Sequence, residues 1–306
     1  MNEKITSVDA IQSWLDEHDY IADRSLATSI FLNLNMERPL FLEGEPGVGK
    51  TEVAKVLSQM MGAELIRLQC YEGLDVHNAI YEWNYSRQII EIKMMEASDG
   101  GNKKAISKEI FGSDFLIRRP LLQAIDHQSD TPPVLLIDEL DRADEEFEAF
   151  LLEILSDFQV TIPEIGTISA SQKPTVIITS NRTREIHDAL KRRCIYHWIP
   201  YPKLQQEFEI VRRKQTEINT SLGKQVVAFV HALREMDLYK MPGVAETLDW
   251  SNALVKLGTT SLNVESAKDT LGTLLKYQDD IKKVRGEAVN GLVQRAITDA
   301  DLIAAG

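Results

Sequence analysis

The stretch PLFLEGEPGVGKTEVAKVL, from Pro39 to Leu57, decides the fold. Gly44, Glu45, Pro46, Gly47, Val48, Gly49, Lys50 and Thr51 match the GxxxxGK[ST] pattern. The apolar PLFL before it reads as a short buried strand, and Val53, Ala54, Leu57 and Met61 recur after it at helical spacing. Strand, loop and helix thus follow in the order a phosphate-binding loop needs. The glycines let backbone N–H groups turn toward phosphate oxygens, and the helix N-terminus adds partial positive charge. Lys50 is expected to reach the β- and γ-phosphates, and Thr51 to offer its hydroxyl to Mg²⁺. Glu52, in the first helical turn, completes the expected nucleotide-binding run.

A phosphate loop works with a metal-side carboxylate, and PPVLLIDELDRADEEFEAFLLEIL supplies one. Val134–Ile137 is fully apolar, as in a central parallel strand covered on both faces. Asp138 and Glu139 fall at its carboxyl end, where parallel sheets place ligands. Asp138 is expected to hold Mg²⁺, and Glu139 to polarise the attacking water. A further β-branched run, Val176–Ile178, ends in Thr179, Ser180 and Asn181. Asn181 reads either as an amide that orients the water or touches the γ-phosphate, or as a helix or turn cap.

Next, Lys191, Arg192 and Arg193 form a compact basic cluster before the apolar CIYHW. One reading is a surface patch offsetting helix-end charge. The other is an arginine supplied to the γ-phosphate of a neighbouring subunit, with Arg193 preferred and Arg192 in reserve.

This order of motifs resembles the AAA+ ATPases, and within them the MoxR group. FLEGEPGVGKTEVAK, LLIDELDRADEEFEAFLLEILSDFQVTIPEIG and VIITSN carry the resemblance, and Asp138, Glu139 and Arg142 fit its D-E-x-x-R segment. RLQCYEGLDVHNAIYEWNYSRQI looks closer to the CoxD-like branch, linked to maturation of carbon monoxide dehydrogenase and other molybdenum hydroxylases. The resemblance runs strongly from about Tyr20 to Pro202 and weakly beyond. It implies an α/β fold: a P-loop core with a mostly parallel central sheet flanked by helices, plus a small helical lid. It also implies ATP and Mg²⁺ as cofactors, ring assembly (commonly a hexamer), a partner with a von Willebrand factor A domain, and a client metalloenzyme. By resemblance, Lys50 and Thr51 are the Walker A pair, Asp138 and Glu139 the Walker B pair, Asn181 the first sensor and Arg193 the trans arginine. Tyr20 and Ile21 then line the adenine pocket or pack in the core. One departure stands out. The lid segment where relatives carry a second sensor arginine corresponds to Met241–Leu254, which contains none and has Glu246 near that place.

The rest of the chain fits this frame. Residues 1–202 are expected to form the nucleotide-binding domain, with a helical lead-in over 1–38, and residues 203–306 the helical lid. Pro200 and Pro202 mark the break. Ile66, Leu68 and Cys70 alternate with Arg67 and Gln69 as in a half-buried strand. Glu72 and Asp75 follow as loop caps or ring-interface residues. Arg118 and Arg119 precede a helix opened by Pro120, and face phosphates, a neighbouring subunit, or simply the many acids. QVTIPEIGTISASQKP, residues 159–174, reads as two short strands around Pro163–Gly166, a hairpin. The break at Asp99–Asn102 reads as an exposed, flexible turn near a family insertion that projects toward the ring pore. DDIKKVRGEAV reads as a solvated helix or turn. His77, His127, His187, His197 and His231 lack metal-ligand spacing.

Bulk composition narrows the partners. The net charge of -13 argues against non-specific nucleic-acid binding. Cys70 and Cys194 make no disulfide framework, no signal peptide is visible and no apolar run of about 18 residues exists, so a cytoplasmic location without a membrane span is expected. The expected activity is ATP hydrolysis by a chaperone-like motor acting on a client. The alternative is a nucleotide-dependent scaffold or switch with little turnover, which the arginine-free lid segment motivates.

Overall fold

The computed structural model describes residues 7–98 and 110–304. The expected turn at Asp99–Asn102 lies outside them. By internal contacts the chain divides into two compact units. The first is built on Leu26–Glu43 and Val53–His197, the second on Asp9–Ser25, Gly44–Glu52 and Trp198–Gly306. The C-terminal division thus falls a few residues before Pro202, and the phosphate loop groups with the C-terminal helices.

In chain order the elements begin with α1 (Val8–Glu17), α2 (Arg24–Met36), β1 (Leu40–Gly44), α3 (Lys50–Met61) and β2 (Leu65–Gln69). Then come α4 (Val76–Ile80), β3 (Tyr81–Trp83), α5 (Tyr85–Ser98), β4 (Leu116–Arg118), α6 (Pro120–Ile125) and β5 (Val134–Asp138). They continue with α7 (Glu145–Asp157), the hairpin β6 (Gln159–Ile162) and β7 (Gly166–Ser169), β8 (Thr175–Ser180), α8 (Asp188–Lys191) and β9 (Ile195–Ile199).

The central sheet has the order β2-β5-β8-β1-β9. The pairs β2–β5, β5–β8 and β8–β1 are parallel. Sequence explains the positions. β1 and β5 are buried at every residue, as central strands under two helical layers must be. β2 alternates, with Ile66 and Leu68 buried and Arg67 exposed, as suits an edge. Register pairs Gln69 with Asp138 and Glu43 with Ser180, so the polar strand ends share one edge of the sheet. Phe147, Leu151 and Ile154 of α7 close the core over Leu135, Ile137, Val176 and Ile178. Asp75 caps α4 by accepting from the Asn78 N–H at 2.7 Å, which takes up the capping alternative. Arg118 pairs with Asp126 at 2.8 Å and Arg119 with Glu82, so both balance acids of their own chain.

The second unit is helical beyond β9: α9 (Leu204–Lys214), α10 (Thr220–Arg234), α11 (Val244–Lys256), α12 (Val264–Leu274), α13 (Gln278–Lys283) and α14 (Val289–Asp299). Its core centres on Trp250 and Phe229, whose rings lie 4.9 Å apart, and the Trp250 indole N–H donates to Thr270 Oγ1 at 2.7 Å. DDIKKVRGEAV is helical, with Asp279, Lys282, Lys283 and Arg285 exposed as expected, but it is not solvated throughout. Asp280 is 4% exposed and accepts the backbone N–H groups of Tyr239 and Lys240 at 2.9 and 3.2 Å. A charge run hides such a residue from sequence reading, because the partners are main-chain groups 40 positions away.

Candidate nucleotide site

The phosphate loop belongs to the second unit. Gly47 and Gly49 have φ of +77° and +97°, conformations that L side chains rarely adopt and that turn successive N–H groups inward. Lys50, 6% exposed, donates from Nζ to the carbonyls of Gly44 and Glu45, each at 2.7 Å. Tyr20 stands beside the loop, its Cε2 3.8 Å from where a Gly49 Cβ would be. Burial, then Glu52 and Asp23, push its phenol well above the ordinary value, so Tyr20 stays neutral. Ile21 meets the lid through its carbonyl, which accepts from Gln206 Nε2 at 3.1 Å. Glu52 lies 3.7 Å from Lys214 Nζ.

The lid segment reaches the same loop by backbone. Ala245 N–H donates to the Gly47 carbonyl at 3.2 Å. A Cβ on Gly243 would lie 2.5 Å from the Pro46 carbonyl oxygen, so α11 approaches this closely only with glycine there. Glu246 caps α11 by accepting the Gly243 N–H at 2.9 Å and stands near Gly47. At the loop, α11 thus presents its N-terminus with the Glu246 carboxylate folded onto its own cap.

The acids belong to the first unit. Asp138 is 2% exposed. Its Oδ1 accepts from Thr179 Oγ1 at 2.6 Å, and its Oδ2 accepts from Arg67 Nε and Nη2 at 3.0 and 2.5 Å. Thr179 Oγ1 also accepts the Glu139 N–H at 2.9 Å, so one hydroxyl ties β8 to both acids. Glu139 is left-handed, with φ 55° and ψ 50°, a costly conformation that ends β5 and turns its carboxylate off the strand line. That carboxylate meets Arg142 Nε at 2.8 Å and Gln69 Nε2 at 3.2 Å.

Asp141 holds the loop that follows β8. It is 3% exposed and accepts the backbone N–H groups of Asn181 and Thr183 at 3.1 and 2.9 Å and the Thr183 hydroxyl at 2.6 Å. The Asn181 side-chain amide makes no hydrogen bond among the described residues. Cys70 lies beneath these acids. Burial first, then Asp138, Asp141 and Glu139, push its thiol up to about 12, which leaves it a neutral core group.

The basic cluster divides three ways. Lys191 sits 3.8 Å from the buried Glu43 carboxylate. Arg193 donates to the Leu152 carbonyl at 2.7 Å and to Ser156 Oγ. Arg192 is exposed, and its guanidinium has no partner among the described residues. Arg38, which the sequence did not flag, donates to the carbonyls of Arg192, Arg193 and Cys194 at 2.7, 3.1 and 3.4 Å and so fixes this turn. Among the described residues no group of three or more His, Cys, Asp or Glu is placed to hold a metal alone, and no helix is long and apolar enough to cross a membrane.

Fold and loop together define a P-loop nucleotide-binding protein. The AAA domain family, dynein-related subfamily, matches residues 39–194. The chain belongs to that family of AAA+ ATPases. No curated protein matches it. Solved structures similar to it include a proline-to-glycine variant of RuvB from Thermotoga maritima, at 15% identity and TM-score 0.47 over 90% of this chain and 72% of that one. An ATPase candidate from Cytophaga hutchinsonii is 18% identical, with TM-score 0.48 over 91% and 85%. A lysine-to-arginine variant of Thermotoga maritima RuvB is 16% identical, with TM-score 0.49 over 84% and 71%.

Proposed function

We propose that this chain hydrolyses ATP as a ring-forming, MoxR-type motor that remodels or activates a client protein, with molybdenum hydroxylase maturation as the client class. The observation that carries the hydrolytic reading is the pair of acids at the end of β5. Asp138 is buried yet charge-paired, and Glu139 is turned off the strand in a left-handed conformation. The residues fit nucleotide and metal. The loop glycines form a cradle that side chains would fill, and the hydroxyl of Thr51 and carboxylate of Asp138 are hard oxygen donors of the kind Mg²⁺ takes. When bound, Mg²⁺ neutralises charge on the phosphate oxygens.

The chain's own groups do the rest. Lys50 leaves its two carbonyl partners to bind phosphate oxygens. Glu139 takes the proton of the attacking water, and the free amide of Asn181 orients that water. Tyr20 and Ile21 flank the base. The turn fixed by Arg38 supplies an arginine to the neighbouring subunit. Arg193, preferred on sequence, gives up two hydrogen bonds to do so; Arg192 gives up none. The second reading, a nucleotide-dependent scaffold, draws on Glu246 standing where an arginine was expected.

The deciding experiment is phosphate release against protein concentration with Mg²⁺ and ATP. A ring motor gives specific activity that climbs with concentration and levels off, and Glu139→Gln then holds nucleotide while losing about 100-fold or more in turnover. Normal turnover by Glu139→Gln rules out its role. Mixing Lys50→Ala protein with Arg192→Ala or Arg193→Ala protein recovers activity for the variant that lacks the trans arginine. Tight binding with negligible turnover at every concentration favours the scaffold.

A further inference from the structure

The carboxylate assigned to the metal already carries a cation. Arg67 stands on the edge strand β2, two register positions before Gln69, and grips Asp138 Oδ2 with Nε and Nη2 at 3.0 and 2.5 Å. The two partners differ sharply in exposure. The Arg67 side chain is 53% exposed and that of Asp138 is 3% exposed. A buried carboxylate without a counter-charge is costly, whereas a guanidinium that is already half in water leaves at little cost. The same arginine also donates from Nη2 to Gln69 Oε1 at 2.5 Å, and Gln69 donates to Glu139.

We propose that Arg67 is a built-in competitor of the divalent cation: its guanidinium balances Asp138 in the nucleotide-free chain and is exchanged for the cation when metal–nucleotide binds. This rests on the reading of Asp138 as a metal ligand. The exchange never leaves Asp138 unpaired. Arg67 moves to solvent without repacking, because among the described residues β2 is an edge strand of the sheet. Its departure frees Gln69 Oε1 and loosens the amide that holds Glu139. Metal entry is thereby linked to the acid that acts on water. Arg67 touches no substrate in this scheme and is a positioning residue. A two-armed grip on one carboxylate also explains arginine rather than lysine, whose single ammonium cannot reproduce it.

The test titrates Mg²⁺ against binding of a fluorescent, non-hydrolysable ATP analogue, with Mn²⁺ paramagnetic resonance as a direct count of bound metal. Arg67→Gln lowers the half-saturating Mg²⁺ concentration about tenfold, the scale of one partly exposed charge-assisted contact. Arg67→Lys falls between Arg67→Gln and the parent chain, and it serves as the primary variant if Arg67→Gln does not fold. An unchanged or raised half-saturation in the folded variants overturns the proposal. Asp138→Asn separates the two layers. Loss of metal dependence in Asp138→Asn with no shift in Arg67→Gln removes Arg67 alone. Full metal dependence in Asp138→Asn removes the reading of Asp138, and the proposal with it.

Discussion

Two buried carboxylates in this molecule are each held by one arginine, and they are built for opposite ends. In the first unit Asp138 is gripped by Arg67, whose side chain is 53% exposed. In the second Glu207 is gripped by Arg234, whose side chain is 8% exposed. Glu207 is fully satisfied: Arg234 Nη1 and Nη2 donate at 2.5 and 2.9 Å, Thr247 Oγ1 at 2.7 Å, and His231 Nε2 lies at 2.9 Å. Arg234 is held further by the Pro242 carbonyl at 2.8 Å and by the Tyr201 ring, 4.5 Å from its guanidinium carbon. The Arg234 network ties α9, α10 and the start of α11 into one body. The Arg67 pair is open on one side. On the proposed reading of Asp138, burial of an acid does not separate structural from functional charge, but the freedom of its partner does.

The largest effect expected from this contrast is on stability. Arg234→Met strips the buried Glu207 of its guanidinium, leaving only Thr247 and His231 beside it, and costs about 3–5 kcal/mol. Thermal unfolding should fall by roughly 10 °C or more. Arg67→Met also leaves the buried Asp138 without its guanidinium, but the place that a half-exposed arginine vacates is open to water, so the cost is smaller, about 1–2 kcal/mol. Equal losses in the two variants, measured by urea titration, would break the distinction. Next comes Asp141→Ala, which strands two part-buried N–H groups of the loop after β8 and costs about 1–2 kcal/mol. Because Asn181 is carried by that loop, turnover falls more than nucleotide affinity does. A matched fall in both would mean that Asp141 only holds the fold. Smaller still is Thr179→Val, which removes one hydroxyl between Asp138 and the Glu139 N–H at about 1 kcal/mol. Its mark is a turnover loss with little change in melting temperature.

Much of this was legible in the sequence. The loop glycines, the apolar runs of β1, β5 and β8 and the acids after β5 each announce themselves locally. The partners that set the charges do not. Arg67 reads as one exposed position in an alternating strand, and only the register of β2 on β5 brings it to Asp138. Asp141 reads as another acid in DELDRADEE, yet it is buried by the loop after β8, 40 residues on. Arg38 looks like a polar residue before a strand, but it serves three carbonyls more than 150 positions away. The pattern is physical. Apolar periodicity is a property of one segment, whereas the balancing of a buried charge is a property of two segments that meet. Arg193 illustrates the limit from the other side: its place before β9 was readable, but its hydrogen bonds to α7 were not.

Acid sharpens the comparison through Glu207 itself. Burial pushes the Glu207 carboxyl up, but hydrogen bonds from His231 and Arg234, the Arg234 charge and Thr247 outweigh it and hold the group below its ordinary value of 4.5. A carboxyl lowered on folding stabilises the folded state fully above that ordinary value, because the unfolded chain takes up the proton first as pH falls. The stabilisation is then lost as pH drops from 4.5 through the lowered folded-state value. Glu207→Gln carries no such proton. Its deficit against the parent chain should be constant from neutral pH down to the ordinary carboxyl range and should narrow below it. The check is the difference in unfolding midpoint between the two chains across an acid series. A deficit that stays constant through the whole series would mean that Arg234 stabilises Glu207 by hydrogen-bond geometry rather than by charge. The closed pair would then differ from the open one in its packing alone.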